Sequence, residues 1–256
     1  GLVIMAGPNE HVLPEEVTAL SNYLNDGGHL YVLLDPAGTT ANGDLAPLLK
    51  LVGVKYTDTL LANDEVYAVR TQKPADKANI VSTSFSSHVS VTTLSRASGR
   101  AGVILPRSGY FERDGAAPAG VQLDFTLRSM PKTYADRNLN FTREGDEPMQ
   151  VFDLAAVANK TIGEANASVP GKGKRELRLA LVASVDAVAD LALQNRANAV
   201  LALDTIKWLM QEEAIVGETV QETDAPIFHT KDQDKIWFYS TILAAPALIL
   251  ALGQLI

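Results

Sequence analysis

The 256 residues contain no cysteine. Disulfides, thiolate metal sites and cysteine nucleophiles are thereby excluded from this chain. A basic block is also missing. The balance is 22 basic against 30 acidic residues, a net charge of -8, with no interleaving of aromatic and basic side chains, so nucleic acid is not an expected partner. The four histidines (His11, His29, His88, His229) include no pair at i,i+4, and no His-Glu-x-x-His motif occurs. There is no Gly-x-Ser-x-Gly elbow for a serine nucleophile. Gly171-Lys172-Gly173-Lys174 lacks the spacing of a phosphate-binding loop and reads as a solvated loop. No initiator methionine or signal peptide precedes the strand-like run that follows Gly1, so an upstream part is expected to be missing.

What is present points to a globular chain. It is 46% hydrophobic and 20% charged, enough apolar material for one large core or two small ones. The final twenty residues, Trp237–Ile256, hold no charged side chain. At about 1.5 Å rise per residue, such a helix spans roughly 30 Å, the hydrocarbon thickness of a bilayer. Trp237 and Tyr239 sit at its start, where amphipathic rings favour the membrane interface. The sequence therefore predicts an α/β domain over 1–217, a polar linker over 218–235 and a transmembrane helix over 236–256.

The first 36 residues read as strand–helix–strand. Leu2–Ala6 is an apolar run closed by Gly7-Pro8-Asn9. Pro14-Glu15-Glu16 opens a helix, with proline suited to the first position and acids to the first turn. Val17, Leu20 and Leu24 share a face, Gly27-Gly28 ends the helix, and Leu30–Leu34 runs into Asp35-Pro36. This is the βαβ unit of a parallel sheet. Residues 37–43 read as a polar loop and the leucines after it as a short helix. Thr59–Leu61, Val66–Val69, Ile80–Thr83, Val89–Leu94, Gly102–Leu105 and Gln122–Leu127, several of them rich in β-branched residues, read as strands. Residues 129–148 read as a long loop. Leu177–Val182 is a further strand, and Asn195 or Asn198 is expected to cap a long helix after it. The fold class expected is α/β, a mostly parallel sheet flanked by helices, with additional, partly antiparallel strands in the middle.

Ligands of parallel α/β sheets bind at the carboxyl ends of strands. Asn9, Asp35 and Asp186 stand at three such ends, and His88 is a further polar candidate. Aspartate and asparagine also end strands because they make turns and cap helices, and that plainer reading is the stronger one. If the carboxylates of Asp35 and Asp186 do not come within about 8 Å, paired acid/base work is not expected.

The run Ala6-Gly7-Pro8, then Glu16-Val17, Ala19-Leu20, Tyr23-Leu24, Gly27-Gly28, Leu30 and Val32-Leu33-Leu34-Asp35-Pro36, closely resembles the GldG-like family, the auxiliary component of ABC-type transport systems associated with bacterial gliding motility. The resemblance continues in order through Thr126–Tyr134, Phe152–Ala158, Leu179–Asp186 and Asn195–Glu213, including Trp208-Leu209 and Glu212-Glu213, and covers nearly the whole chain. Ala183 and Ala187 depart from the family's glycine and aromatic. The resemblance implies a fold similar to glutamine-amidotransferase and ThuA-like domains, further strands upstream, and a last membrane span at the C-terminal end. It also implies permease and ATPase subunits as partners, the lipid bilayer as setting, an extracytoplasmic domain on the bacterial inner membrane, no cofactor and no enzymatic role. The amidotransferase nucleophile is a cysteine, which this chain lacks. The competing expectation is a membrane-anchored ThuA-like domain that binds or hydrolyses carbohydrate at the strand ends.

Overall fold

The computed structural model describes residues 1–97, 99–163, 175–212, 238–239 and 242. The elements below belong to a compact unit, Gly1–Ala214; Ile215–Ile256 forms a second unit. The expected linker at 218–235 and the Gly171–Lys174 loop lie outside the described residues. So does the expected membrane helix, apart from Phe238, Tyr239 and Ile242. Among the described residues no helix is long and apolar enough to cross a membrane.

The opening folds as its pattern dictates. Strand β1 (Leu2–Ala6) leads to helix α1 (Pro14–Asn25) and strand β2 (His29–Leu33). Glu16 accepts a hydrogen bond from the Leu13 backbone N–H at 3.0 Å, satisfying one orphan donor of the helix start. At the other end Gly27 takes φ +84°, and Gly28 N–H donates back to Tyr23 O at 2.8 Å, a Schellman-type closure. The strands β1 and β2 are parallel, Ala6 opposite Leu33. On the other side of β2 lies β12 (Arg175–Val182), also parallel, with Val182 opposite Leu33.

Beyond β12 the sheet turns antiparallel. Strand β11 (Asp153–Gly163) pairs β12, and on its far side it meets β9 (Gln122–Arg128) and, at Asp153, β8 (Tyr110–Arg113). The short β6 (Ser84–Phe85) extends β9, and β3 (Val54–Thr57) extends β8. The main sheet thus has eight strands, parallel on one side and antiparallel on the other. Two small antiparallel pairs stand apart from it: β4 (Leu60–Asn63) with β10 (Thr133–Asp136), and β5 (Asn79–Ser82) with β7 (Val103–Pro106).

Alternation along the central strands divides the core between the two sheet faces. Leu30, Val32, Leu179 and Leu181 point to one face with Leu24 of α1 and with Leu48 and Leu49 of α3 (Ala46–Lys50). Tyr31, Leu33, Ala180 and Val182 point to the other, under Leu201 and Trp208 of α6 (Arg196–Leu209). Each fully buried leucine contributes about 1.5–3 kcal/mol relative to an exposed one.

Four local expectations fail. Val66–Val69 is not a strand: it carries a single isolated bridge, Tyr67 opposite Ile80. Residues 37–43 are not a loop throughout, because helix α2 (Thr39–Asp44) begins there. Val89–Leu94 is not a strand: a 3-10 turn over Val89–Val91 runs into α4 (Thr92–Arg96), started by His88, whose Nδ1 accepts from Ser90 N–H at 3.2 Å. A local cap overrides the β preference of branched residues there. The stretch 129–148 contains β10 within what reads as loop.

Candidate functional site

Because β1, β2 and β12 are parallel and in register at Ala6, Leu33 and Val182, their carboxyl ends open on one edge. Three backbone bonds keep the outgoing segments together: Gly7 N–H to Leu33 O, Leu34 N–H to Val182 O, and Val185 N–H to Leu34 O, all within 2.9 Å. Gly7 is required there, since its φ is +53° and a Cβ would lie 3.0 Å from the Val185 side chain. Gly38 is required as well. A Cβ on it would sit 2.5 Å from Pro8 O and 3.4 Å from Asn9 Oδ1, so the loop carrying Asn9 rests directly on the loop after Asp35.

Asp35 is 7% exposed. Its Oδ1 accepts the Ala37 N–H at 2.9 Å in an Asx turn, and its carbonyl accepts from Gly38 N–H and from Asn42 Nδ2. Asp186 follows β12 in a 3-10 turn over Val185–Val188. Between the two carboxylates stands Arg107, a residue to which no sequence pattern drew attention. Its Nε and Nη2 donate to Asp186 Oδ2 at 2.8 and 2.7 Å, and Nη2 lies 3.9 Å from Asp35 Oδ2. The hydrogen bond to Asp186, reinforced by both negative charges, raises the Arg107 pKa above its ordinary value. One guanidinium therefore stands between both aspartates, hydrogen-bonded to Asp186 and 3.9 Å from Asp35, and offsets one of their two negative charges.

Arg107 reaches this place from the end of β7, with φ +49°, an uncommon conformation for a non-glycine residue. Its strand is held by Asn198 of α6. Asn198 Oδ1 accepts Ile104 N–H at 2.9 Å, while its Nδ2 donates to Ile104 O at 2.7 Å and to Ala187 O at 2.8 Å. Asn195 caps the same helix, accepting Ala197 N–H at 3.3 Å, and donates to Gly102 O at 2.7 Å. Of the two asparagines read as cap candidates, Asn195 is the cap and Asn198 the staple.

The structure brings Asn9, Asp35 and Asp186 to one edge and leaves His88 elsewhere. His88 stacks edge-on against Trp208 at 5.2 Å, and Trp208 lies under Arg178. Arg178 is in register with His29 at the start of β2, the opposite end of the strands from Asp35. His88 is thus the half-buried cap of a 3-10 turn packed against Trp208, away from the strand-end edge, which corrects its place among the site candidates.

Two clefts meet at the strand-end edge. One, of about 400 Å³, is lined by Asp35, Asp58, Arg107 and Arg137; the other, of about 240 Å³, by Asn42, Lys55, Tyr56 and Asp58. Asp58 and Thr39 belong to both. Asn9 lines a separate, more open cleft with Pro8, His11 and Glu16. Burial first, then the charges of Asp58 and Asp35, push the Tyr56 phenol well above its ordinary pKa, so it stays protonated. Among the described residues no three histidine or acidic side chains gather in a way that could hold a metal ion.

No protein-family model matches the chain, and no curated protein matches it. Among solved structures it is similar to the mmIFT52 N-terminal domain, with a TM-score of 0.57 at 16% identity, over 81% of this chain and 76% of that one. Identity this low carries the likeness of fold and nothing more about what the chain does.

Proposed function

We propose that the chain is a non-catalytic component of a bacterial ABC-type transport or gliding-motility assembly. In this reading its α/β domain lies on the extracytoplasmic side of the inner membrane, and the apolar segment 236–256 anchors it there. The ordered series of GldG-like segments supports the setting. The observation that carries the non-catalytic part is Arg107: it ties the two strand-end carboxylates into an ion-paired group, where an acid/base pair would need at least one of them free to exchange protons. The test has two arms. Purification from native membranes is expected to recover a permease and an ATPase with the chain. A cysteine placed at exposed Ala117 of this cysteine-free chain is expected to react with an impermeant thiol reagent in intact spheroplasts. Labelling only after lysis, or recovery without transporter subunits, overturns the assignment.

A second reading is favoured by the cleft of about 400 Å³ beside Asp35: a membrane-anchored ThuA-like domain that binds or hydrolyses carbohydrate. It requires turnover or saccharide binding that disappears in Asp35→Asn or Asp186→Asn. The non-catalytic reading expects neither substitution to remove any activity.

A further inference from the structure

The larger strand-end cleft, of about 400 Å³, is lined by five charged side chains that differ in how far the protein has spent them. Asp136 is buried, and its two oxygens take the N–H groups of Leu139 and Phe141 at 2.8 Å each, so it offers nothing to the cleft. Asp58 is half-buried and makes no hydrogen bond or ion pair with any described residue. Asp35 Oδ1 is taken by the Ala37 N–H, while Oδ2 has the 3.9 Å approach of Arg107. On the donor side, Arg107 gives Nε and Nη2 to Asp186, and no described residue accepts from its Nη1. The Arg137 guanidinium has one partner among the described residues, the exposed Asp146 at 3.6 Å, a weak surface pair.

This mixture restricts what can enter. A cation beside Asp35 would stand next to Arg107, and Asp58 lines the adjoining smaller cleft together with Lys55, so an ammonium is repelled on both sides. A hydroxyl is a neutral donor that meets no such repulsion, and because it also accepts it can serve a carboxylate and a guanidinium at once. A negative group is repelled by Asp35 and Asp58 and drawn to Arg137, whose planar fork takes a carboxylate with two parallel bonds. Part of the remaining lining is apolar. Leu139 is 56% exposed, a large aliphatic side chain presented to the cleft from a backbone at φ +61° that its bond to Asp136 holds, and Pro36 and Leu60 line the same space.

We propose that this cleft binds an acidic pyranoside, a sugar ring that carries a carboxylate. Ring hydroxyls donate to Asp58 and to Asp35 Oδ2 and accept from Arg107 Nη1, the carboxylate meets Arg137, and the C–H face of the ring lies on Leu139. The cleft is of small-molecule size, a range of about 300–1,000 Å³. A neutral sugar would leave Arg137 unanswered, and an acid without hydroxyls would leave Asp58 unanswered. Such a ligand rests on the carbohydrate reading above but requires binding alone, with no catalysis.

Isothermal titration calorimetry of the whole chain with three ring compounds tests this: methyl glucuronide, methyl glucoside, which lacks the carboxylate, and cyclohexanecarboxylate, which lacks the hydroxyls. The glucuronide is expected to bind about ten-fold or more tightly than either of the others, the worth of one charge-assisted contact. Arg137→Gln is expected to bring the glucuronide down to the level of the glucoside and to leave the glucoside unchanged. Asp58→Ala is expected to weaken both sugars and not cyclohexanecarboxylate. Circular dichroism and an unchanged melting temperature establish that both variants fold, and the comparison of ligands on the unaltered chain stands without them. No binding of any of the three at tens of millimolar overturns the proposal together with the carbohydrate reading. A glucoside that binds as tightly as the glucuronide overturns the acidic class and leaves the carbohydrate reading in place. Cyclohexanecarboxylate binding as tightly as the glucuronide overturns saccharide recognition and marks a plain anion site. Glucuronide binding that either substitution leaves intact overturns the assignment to this cleft.

Discussion

At the scale of single residues, charge placement decides most of what this molecule does locally. Arg107 is about half exposed, while the Asp35 carboxylate it approaches is nearly buried. Arg107→Ala should therefore cost more than a surface pair and less than a buried one, about 1–2 kcal/mol by chemical denaturation. Asp35→Asn in the same background is expected to restore part of the loss, because the uncompensated charge is gone. A different carboxylate governs acid behaviour. Burial alone would raise the Asp76 pKa, but its carboxylate accepts three backbone N–H groups, from Arg70, Thr71 and Gln72, and the Thr71 hydroxyl, bringing it from 3.8 down to about 2. A folded pKa below the unfolded one gives stability that is present above 3.8 and lost as pH falls toward about 2. Asp76→Asn is expected to flatten the stability profile in that window, measured by denaturant midpoints at stepped pH. His29 acts near neutrality. Burial first, then Arg178 and the N-terminal ammonium, lower its pKa from 6.5. The unfolded chain then binds the extra proton, so stability should decline as pH drops below 6.5, a slope that His29→Gln removes.

At the scale of elements, what was legible in the sequence was what local pattern alone determines. β1, α1, β2 and β12 announce themselves by apolar runs, a proline-and-acid start and a Gly-Gly stop, and three of the four site candidates followed from where those strands end. What was illegible depends on distant contacts. Arg107 meets Asp186 across 79 positions, and no spacing rule reaches that far. Asp58 lies in an ordinary polar turn between β3 and β4, and only the folded clefts make it stand out. His88 misled because a histidine in a polar run looks like a site residue, whereas its ring is spent on Ser90 and Trp208. Long-range dependence of this kind can be tested at Asn198, which joins α6 to β7 and to the segment before α5 (Asp190–Leu193). Asn198→Leu removes the two part-buried Ile104 bonds and the buried bond to Ala187 O, leaving three backbone groups without their partner, at a cost of roughly 2–4 kcal/mol. Because β7 carries Arg107, the same substitution should also loosen the Arg107–Asp186 pair, read as faster amide hydrogen exchange at Arg107 and Ser108.

At the scale of the whole molecule, the sheet is sealed unevenly. Its centre is covered on both faces, yet the β1 edge is not. Strands in parallel sheets ordinarily bury both faces, but in β1 the consecutive, oppositely directed Val3 and Ile4 are 38% and 52% exposed. Among the described residues the strand has one partner, β2, so its outer backbone groups have no ladder there. None of the usual protections is present in Leu2–Ala6: no lysine, no proline, no bulge. An apolar, uncharged, unpaired edge is a template for another strand. In dilute solution the net charge of -8 keeps copies apart. Raising the salt screens that repulsion, since the Debye length falls from about 10 Å at 0.1 M to about 3 Å at 1 M. The 256-residue chain is therefore expected to self-associate more strongly at high salt, the reverse of association through ion pairs. Ile4→Lys places a charge on the edge without touching the core and should suppress that association while leaving the unfolding midpoint within about 0.5 kcal/mol of the parent. Sedimentation velocity at two salt concentrations separates the outcomes. Association that weakens with salt, or that Ile4→Lys leaves unchanged, would assign self-contact to another surface.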